Sequence, residues 1–300
     1  MKKLGIFTLV LLLAGCASAS NSSTYTISQD DVRSISLETP GTFSVSRVVV
    51  LANGVAEIME SLNARSILVG RDISSTEKSL ESVPIVTSGH QVIPEKVLSL
   101  KPDLVIIDAS TGPRVAIDQI RSAGIKVIQT PESWNLADIK VKIRAVGEAI
   151  GANKGAAALI ATMEQSSSAA SVSNKPRVAF LYLRGTSSVY LIGGPGSGAD
   201  SLLQSLGAID VGAITLNRPF NTLTAESLAT LNPDVILVMS KGLESVGGVQ
   251  GLIKLPGVAQ TNAGKNSAVI DVDDSLLLSF GPRTPSLLDQ LAKALKQVAP

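Results

Sequence analysis

One pattern occurs twice in this chain, and it limits the fold more than any other feature. Ile93-Pro-Glu-Lys-Val-Leu-Ser-Leu-Lys-Pro-Asp-Leu-Val-Ile-Ile107 matches Thr224-Ala-Glu-Ser-Leu-Ala-Thr-Leu-Asn-Pro-Asp-Val-Ile-Leu-Val238. Upstream of each copy, Gly54-Val-Ala-Glu-Ile-Met-Glu-Ser-Leu-Asn-Ala64 matches Gly198-Ala-Asp-Ser-Leu-Leu-Gln-Ser-Leu-Gly-Ala208. Two matching blocks in the same order predict two similar lobes. Within each block a helical pattern leads into a continuous apolar run, as expected of a parallel strand covered on both faces. The fold class is therefore α/β: two similar lobes with mainly parallel sheets and a ligand cleft between them.

Between the blocks, residues 136–165 keep a helical pattern through Ile139, Ile143, Val146, Ile150, Leu159, Ile160 and Met163, interrupted at Gly151 and Gly155. This predicts a long bridging helix, or two consecutive pieces, joining a lobe over 45–135 to a lobe over 166–300. A long bridge predicts only a small change in lobe angle on ligand binding. Hydrophobic residues are 45% of the chain and charged ones 17%, ample for two cores. A net charge of +1 gives no nucleic-acid footprint.

The first residues, Met1-Lys-Lys followed by an apolar run to Ala14, read as an export signal, too short to span a bilayer. Leu13-Ala-Gly-Cys16 resembles the lipobox of bacterial lipoproteins. That resemblance implies removal of residues 1–15 and a lipid on Cys16, the single cysteine, which has no internal partner for a disulfide. Residues 16–44, rich in Ser and Thr at their start, then read as a flexible tether. The body would be monomeric and touch the membrane only through its anchor.

Two short stretches carry candidate chemistry. Ser88-Gly-His90 holds the single histidine, on a loop before a helix that opens at Pro94. Val178-Ala-Phe-Leu-Tyr182-Leu-Arg184 reads as a buried strand with Tyr182 and Arg184 on one face at its carboxyl end, where α/β sheets bind ligands. An adjacent arginine favours the phenolate of a tyrosine. A phenolate and an imidazole make an axial pair for ferric haem iron. The loop Arg218-Pro-Phe220-Asn-Thr-Leu223 corresponds to the His90 loop in the second lobe and should flank the same cleft. An aromatic content of only 3% leaves aliphatic residues to cover a porphyrin.

A rival lies at Gly194-Pro-Gly196-Ser-Gly198-Ala199, which has the form of a dinucleotide-binding turn but follows the wrong strand of its lobe. Enzyme signatures are otherwise thin. One histidine and one cysteine do not build a usual zinc site, and there is no Gly-x-Ser-x-Gly nucleophile elbow. An exported enzyme using a nucleotide at the Gly194 loop is thus a remote alternative.

Together, the lipobox, the two lobes, Ser88-Gly-His90, Tyr182-Leu-Arg184-Gly185, Gly247-Gly-Val249 with Leu255-Pro-Gly257, and Leu276-Leu-Leu-Ser-Phe-Gly-Pro-Arg-Thr-Pro285 resemble the class III substrate-binding proteins of ABC importers. Within these they are most similar to haemin-binding lipoproteins of the HmuT type. The resemblance covers the chain from about Arg47 onward. It implies a non-enzymatic protein that carries ferric haem to an importer's permease and ATPase. Haem would be held by His90 of the first lobe and Tyr182 of the second, with Arg184 bonded to the tyrosine. It also implies permease docking through a surface carboxylate on each lobe. Glu57 is the candidate in the first lobe; the second offers Gln204, leaving Asp200 on the same helix. A ferric siderophore or cobalamin carried by the same architecture is the alternative cargo.

Overall fold

A computed structural model describes residues 23–38, 41–166, 170–183, 185 and 190–299. The first lobe comprises β2 (Val48–Val50), α1 (Val55–Ser61), β3 (Leu68–Arg71), β4 (Thr87–Ser88), β5 (Gln91–Val92), α2 (Pro94–Ser99), β6 (Leu104–Ile107), α3 (Arg114–Ser122) and β7 (Lys126–Gln129). It follows a first strand, β1 (Thr24–Ile27), and is followed by α4 (Asp138–Ile150) and α5 (Asn153–Gln165). The second lobe runs through β8 (Arg177–Tyr182), β9 (Leu191–Gly193), α6 (Ala199–Ser205), β10 (Ile209–Asp210), β11 (Phe220–Thr222), α7 (Ala225–Leu231), β12 (Val235–Met239), α8 (Ser240–Ser245), α9 (Gly248–Ile253), α10 (Asn262–Asn266), β13 (Val269–Val272), α11 (Asp274–Leu277) and α12 (Thr284–Val298).

The first lobe has a parallel sheet in the order β3-β2-β6-β7. Its two central strands, β2 and β6, are apolar throughout because both faces are covered. Val48, Val50, Leu104 and Ile106 belong to one core cluster, while Val49, Val105 and Ile107 pack with Val97, Ala116, Ile117 and Ile120 of α2 and α3 on the other side. The second sheet runs β1-β13-β12-β8-β9-β11, with β10 beside β8. It is parallel except where β9 runs against β8 and β11. The internal repeat is visible in the elements. Gly54 and Gly198 precede α1 and α6 at φ of +70° and +91°, and a Cβ on Gly54 would lie 2.2 Å from the Ser279 carbonyl oxygen. In the second half of the repeat, α2 and β6 correspond to α7 and β12.

One expectation is corrected. Residues 24–27 are not tether: β1 pairs in parallel with β13 from Thr24↔Val269 to Ile27↔Val272 and so extends the second lobe's sheet. Ile27 is fully buried, which a short apolar stretch among serines did not advertise. The bridge takes the second of its two expected forms, two consecutive pieces. The chain turns at Gly151 (φ +79°), and α4 and α5 fold back as a hairpin, so that Lys140 near the start of one pairs with Glu164 near the end of the other. Gly147 lets the two helices close, since a Cβ there would stand 2.5 Å from that of Ala156.

The lobes share one core. The large cluster joins Val48, Ile58 and Met59 of the first lobe through Ile143 and Leu159 of the hairpin to Phe180, Leu202 and Leu291 of the second. No helix among the described residues is long and apolar enough to cross a membrane.

Candidate functional site

His90 stands at the tip of a two-residue hairpin turn between β4 and β5. Gly89 takes φ of +54° as the first central residue, a position open to glycine at little steric cost. The hairpin is held at its base. Val86 N donates to Arg71 O at 2.9 Å, Ile93 N to Val86 O at 3.0 Å and Val92 N to Gly112 O at 2.9 Å. The base is ordered by these bonds, while His90 itself is exposed.

Tyr182 ends β8 on the opposite lobe, facing the same side as Val178 and Phe180. The two preceding residues of that face, Val178 and Phe180, are fully buried, whereas Tyr182 is half-buried at the strand's carboxyl end. His90 and Tyr182 both line one cleft between the lobes, with a volume of about 460 Å³. Arg184 and Cys16 lie outside the described residues.

The two walls of the cleft differ in chemistry. The first lobe contributes mainly polar groups, among them Asn53, Asp72, Thr87, Asp108 and Ser110. Their carboxylates are committed to holding loops at strand ends. Asp108 accepts from Asn53 N at 2.9 Å and from the hydroxyls of Ser110 and Thr111 at 2.9 and 2.7 Å. Asp72 accepts from Ser74 N at 3.0 Å and from the hydroxyls of Ser74 and Ser75. Trp134 also lines this wall, its Nε1 donating to Glu132 at 2.9 Å. The second lobe presents Tyr182, Leu191, Phe220, Met239 and Leu278, an almost wholly apolar surface, with Asp274 at its edge. Phe220 lies in the loop region that the repeat places opposite His90. Trp134, Met239, Asp72 and Asp108 were not identified from the sequence; for Met239, Asp72 and Asp108 only a position at the carboxyl end of a strand could have signalled them.

Tyr190 is a different kind of tyrosine. Its side chain is buried, its hydroxyl donates to Pro256 O at 2.6 Å, and burial pushes its pKa up to about 12. It therefore stays a neutral phenol in neutral solution.

Both proposed docking carboxylates are engaged within the fold. Glu57 is only 3% exposed and is not a surface group. It lies on the first turn of α1 facing the second lobe, where its carboxylate accepts from Arg283 N at 2.7 Å and Arg283 Nη2 at 3.2 Å. Gly281 leaves room for it, since a Cβ there would stand 2.5 Å from the Glu57 carboxyl carbon. In the register that places Gly54 on Gly198, the partner of Glu57 is Ser201, and Glu60 is the partner of Gln204. Asp200 accepts from Gly196 N at 2.8 Å and Gly198 N at 3.0 Å. Those are the amides a phosphate would need, so the same carboxylate closes the glycine loop against a nucleotide. The exposed carboxylates at matched positions of the repeat are Glu95 on α2 and Glu226 on α7.

Further charges are buried along the lobe interface. Arg283 also donates to Glu77 at 3.0 Å, and burial pushes the Glu77 carboxyl up to about 7. Lys142 of α4 donates to Asn53 O at 3.2 Å in one lobe and Ser279 O at 2.6 Å in the other. Burial lowers its pKa to about 8.

The sequence from residue 48 to 276 matches the family model described as periplasmic binding protein. The chain belongs to the periplasmic binding protein family. Among solved structures, this binding protein is similar to the periplasmic heme-binding protein RhuT from Roseiflexus sp. RS-1, with a TM-score of 0.81 and 36% identity over 86% of this chain and 100% of that one. It is similar also to the heme binding protein HmuT, with a TM-score of 0.76 and 34% identity over 91% of this chain and 94% of that one. Structures of HmuT variants carry substitutions of an arginine, of a histidine, and of a tyrosine two residues before that arginine. Among curated sequences, an uncharacterised ABC transporter substrate-binding lipoprotein of Bacillus subtilis, YvrC, is 27% identical over 98% of this chain and 97% of its own length. A cobalamin-binding protein of Halobacterium salinarum is 25% identical over 83% of this chain and 69% of its own. The relatives are binding proteins for transport rather than enzymes.

Proposed function

We propose that this chain is an extracytoplasmic haem-binding protein that delivers ferric haem to an ABC importer. His90 and Tyr182 act as axial ligands from opposite lobes, and Arg184, two residues after the tyrosine, bonds to it. The observation that carries this reading is the convergence of the chain's single histidine and the half-buried Tyr182 on one cleft. The apolar wall of Leu191, Phe220, Met239 and Leu278 suits one face of a porphyrin. The haem-binding relatives support the same cargo, and the tyrosine and arginine substituted in HmuT have the spacing of Tyr182 and Arg184. Titrating haemin into the purified protein should give a Soret band that saturates. No saturable band would overturn the assignment.

Cobalamin is the second reading, favoured by the Halobacterium salinarum relative. Parallel titrations with haemin and a cobalamin decide between them. The export signal over 1–15 is removed, and lipidation at Cys16 holds a monomeric body at the outer face of the membrane, in keeping with the lipoprotein from Bacillus subtilis. Docking to the permease falls to Glu95 and Glu226, one exposed carboxylate on each lobe at equivalent points of the repeat.

A further inference from the structure

Phe220 connects the second lobe's core to Tyr182. It lies on β11 opposite Gly193 of β9, and β9 in turn pairs with β8. Gly193 carries no side chain between the rings, and a Cβ there would come within 2.6 Å of Phe180. Across that gap Phe220 meets two rings of the same β8 face. Its centroid is 6.3 Å from that of Phe180 at an interplanar angle of 65°, and 5.6 Å from that of Tyr182 at 63°. Both are edge-to-face arrangements, in which the positive edge of one ring meets the negative face of another, so they resist rotation as well as separation. Phe180 is fully buried and fixed. Phe220 is thus held from behind by Phe180 and itself holds the tyrosine ring from the side, while lining the cleft.

We propose that Phe220 is a positioning residue: it fixes the orientation in which the Tyr182 phenol oxygen is presented to a metal centre in the cleft. This rests on the haem reading for its functional consequence but not for its geometry. A half-exposed tyrosine at the end of a strand can turn about its side-chain torsions. A lateral ring restricts that turning before the ligand arrives, which lowers the ordering cost of forming the axial bond.

The test has two arms on the full soluble body. In the absence of haem, proteins labelled in their tyrosine rings are compared by NMR as wild type, Phe220→Ala, Phe220→Leu and Phe220→Trp. The ring signal of Tyr182, assigned with Tyr182→Phe, should move and broaden in the Ala and Leu variants and return toward wild type in Trp, while Tyr25 and Tyr190 stay put. In the second arm haemin is bound and its release to apomyoglobin followed. Ala and Leu should release haemin about three- to tenfold faster and shift the phenolate-to-iron absorption, with Trp restoring both. Leu preserves apolar bulk, so a defect shared by Ala and Leu separates ring contact from lost packing. An unmoved Tyr182 signal in folded Ala and Leu variants overturns the proposal. So does an unchanged phenolate-to-iron absorption and release rate in proteins that bind haemin. If wild type gives no haemin spectrum, the functional reading fails while the NMR arm still decides the positioning.

Discussion

Arg283, at the start of the last helix, donates to Glu57 on the first helix at 3.2 Å, with both side chains buried between the lobes. The same guanidinium reaches Glu77 at 3.0 Å and Ser275 O at 3.1 Å, so groups of both lobes meet on one cation. Removing one member of a buried pair leaves an uncompensated charge in low dielectric. Arg283→Ala should therefore lose about 3–5 kcal/mol of stability in denaturant unfolding. A loss under about 1 kcal/mol would show that the pair is not holding the lobes together.

Glu77 gives this interface a pH dependence. Its carboxyl is raised from 4.5 to about 7, chiefly by desolvation, with Arg283 opposing and Glu57 adding to the rise. A group whose folded pKa is raised contributes stability that is complete below its unfolded pKa and is lost as pH climbs through the folded one. The wild-type protein should thus lose on the order of 3 kcal/mol from this group between about pH 4.5 and pH 7. Glu77→Gln removes that titration. The melting temperatures of the two proteins should nearly coincide at pH 4 and separate in favour of Gln at pH 8; parallel curves would refute the shift.

The two lobes should contribute unequally to cargo binding. Tyr182 is held on a strand against Phe220, whereas His90 is exposed at a hairpin tip. Tyr182→Ala should weaken haemin by roughly a hundredfold and remove the phenolate-to-iron absorption, while His90→Ala should shift the Soret band with a smaller loss of affinity. Tyr190→Phe serves as the control, since Tyr190 is buried and hydrogen-bonded to Pro256 O. A spectrum altered by Tyr190→Phe and not by Tyr182→Ala would reverse the assignment.

Docking should separate cleanly from binding. Charge reversal at Glu95 or Glu226 is expected to slow transport in reconstituted vesicles by roughly tenfold while leaving the haemin titration unchanged. Glu57→Gln should instead lower the unfolding midpoint, because its carboxylate is bonded to Arg283 and not to a partner protein. Normal transport in the Glu95 and Glu226 variants would remove these residues from the contact.

Much of the site was legible because it depends on local pattern. Alternation along β8 puts Phe180 and Tyr182 on one face, and the repeat puts Phe220 at the same cleft as His90. Glu57 was misjudged for the opposite reason. A carboxylate on an amphipathic helix reads as exposed unless its counter-charge is known, and Arg283 is far away in the chain.

Sequence by itself determined two α/β lobes, the strands that build them and the residue types at their ends, because side-chain period and turn chemistry are written in neighbouring residues. Tertiary structure alone decided that β1 completes the second lobe's sheet, that α4 and α5 form a hairpin rather than a strut, and that Glu57 faces inward. Each of those outcomes depends on contacts between segments distant in the chain, whose gain is the burial of surface and charge that no single segment can supply on its own.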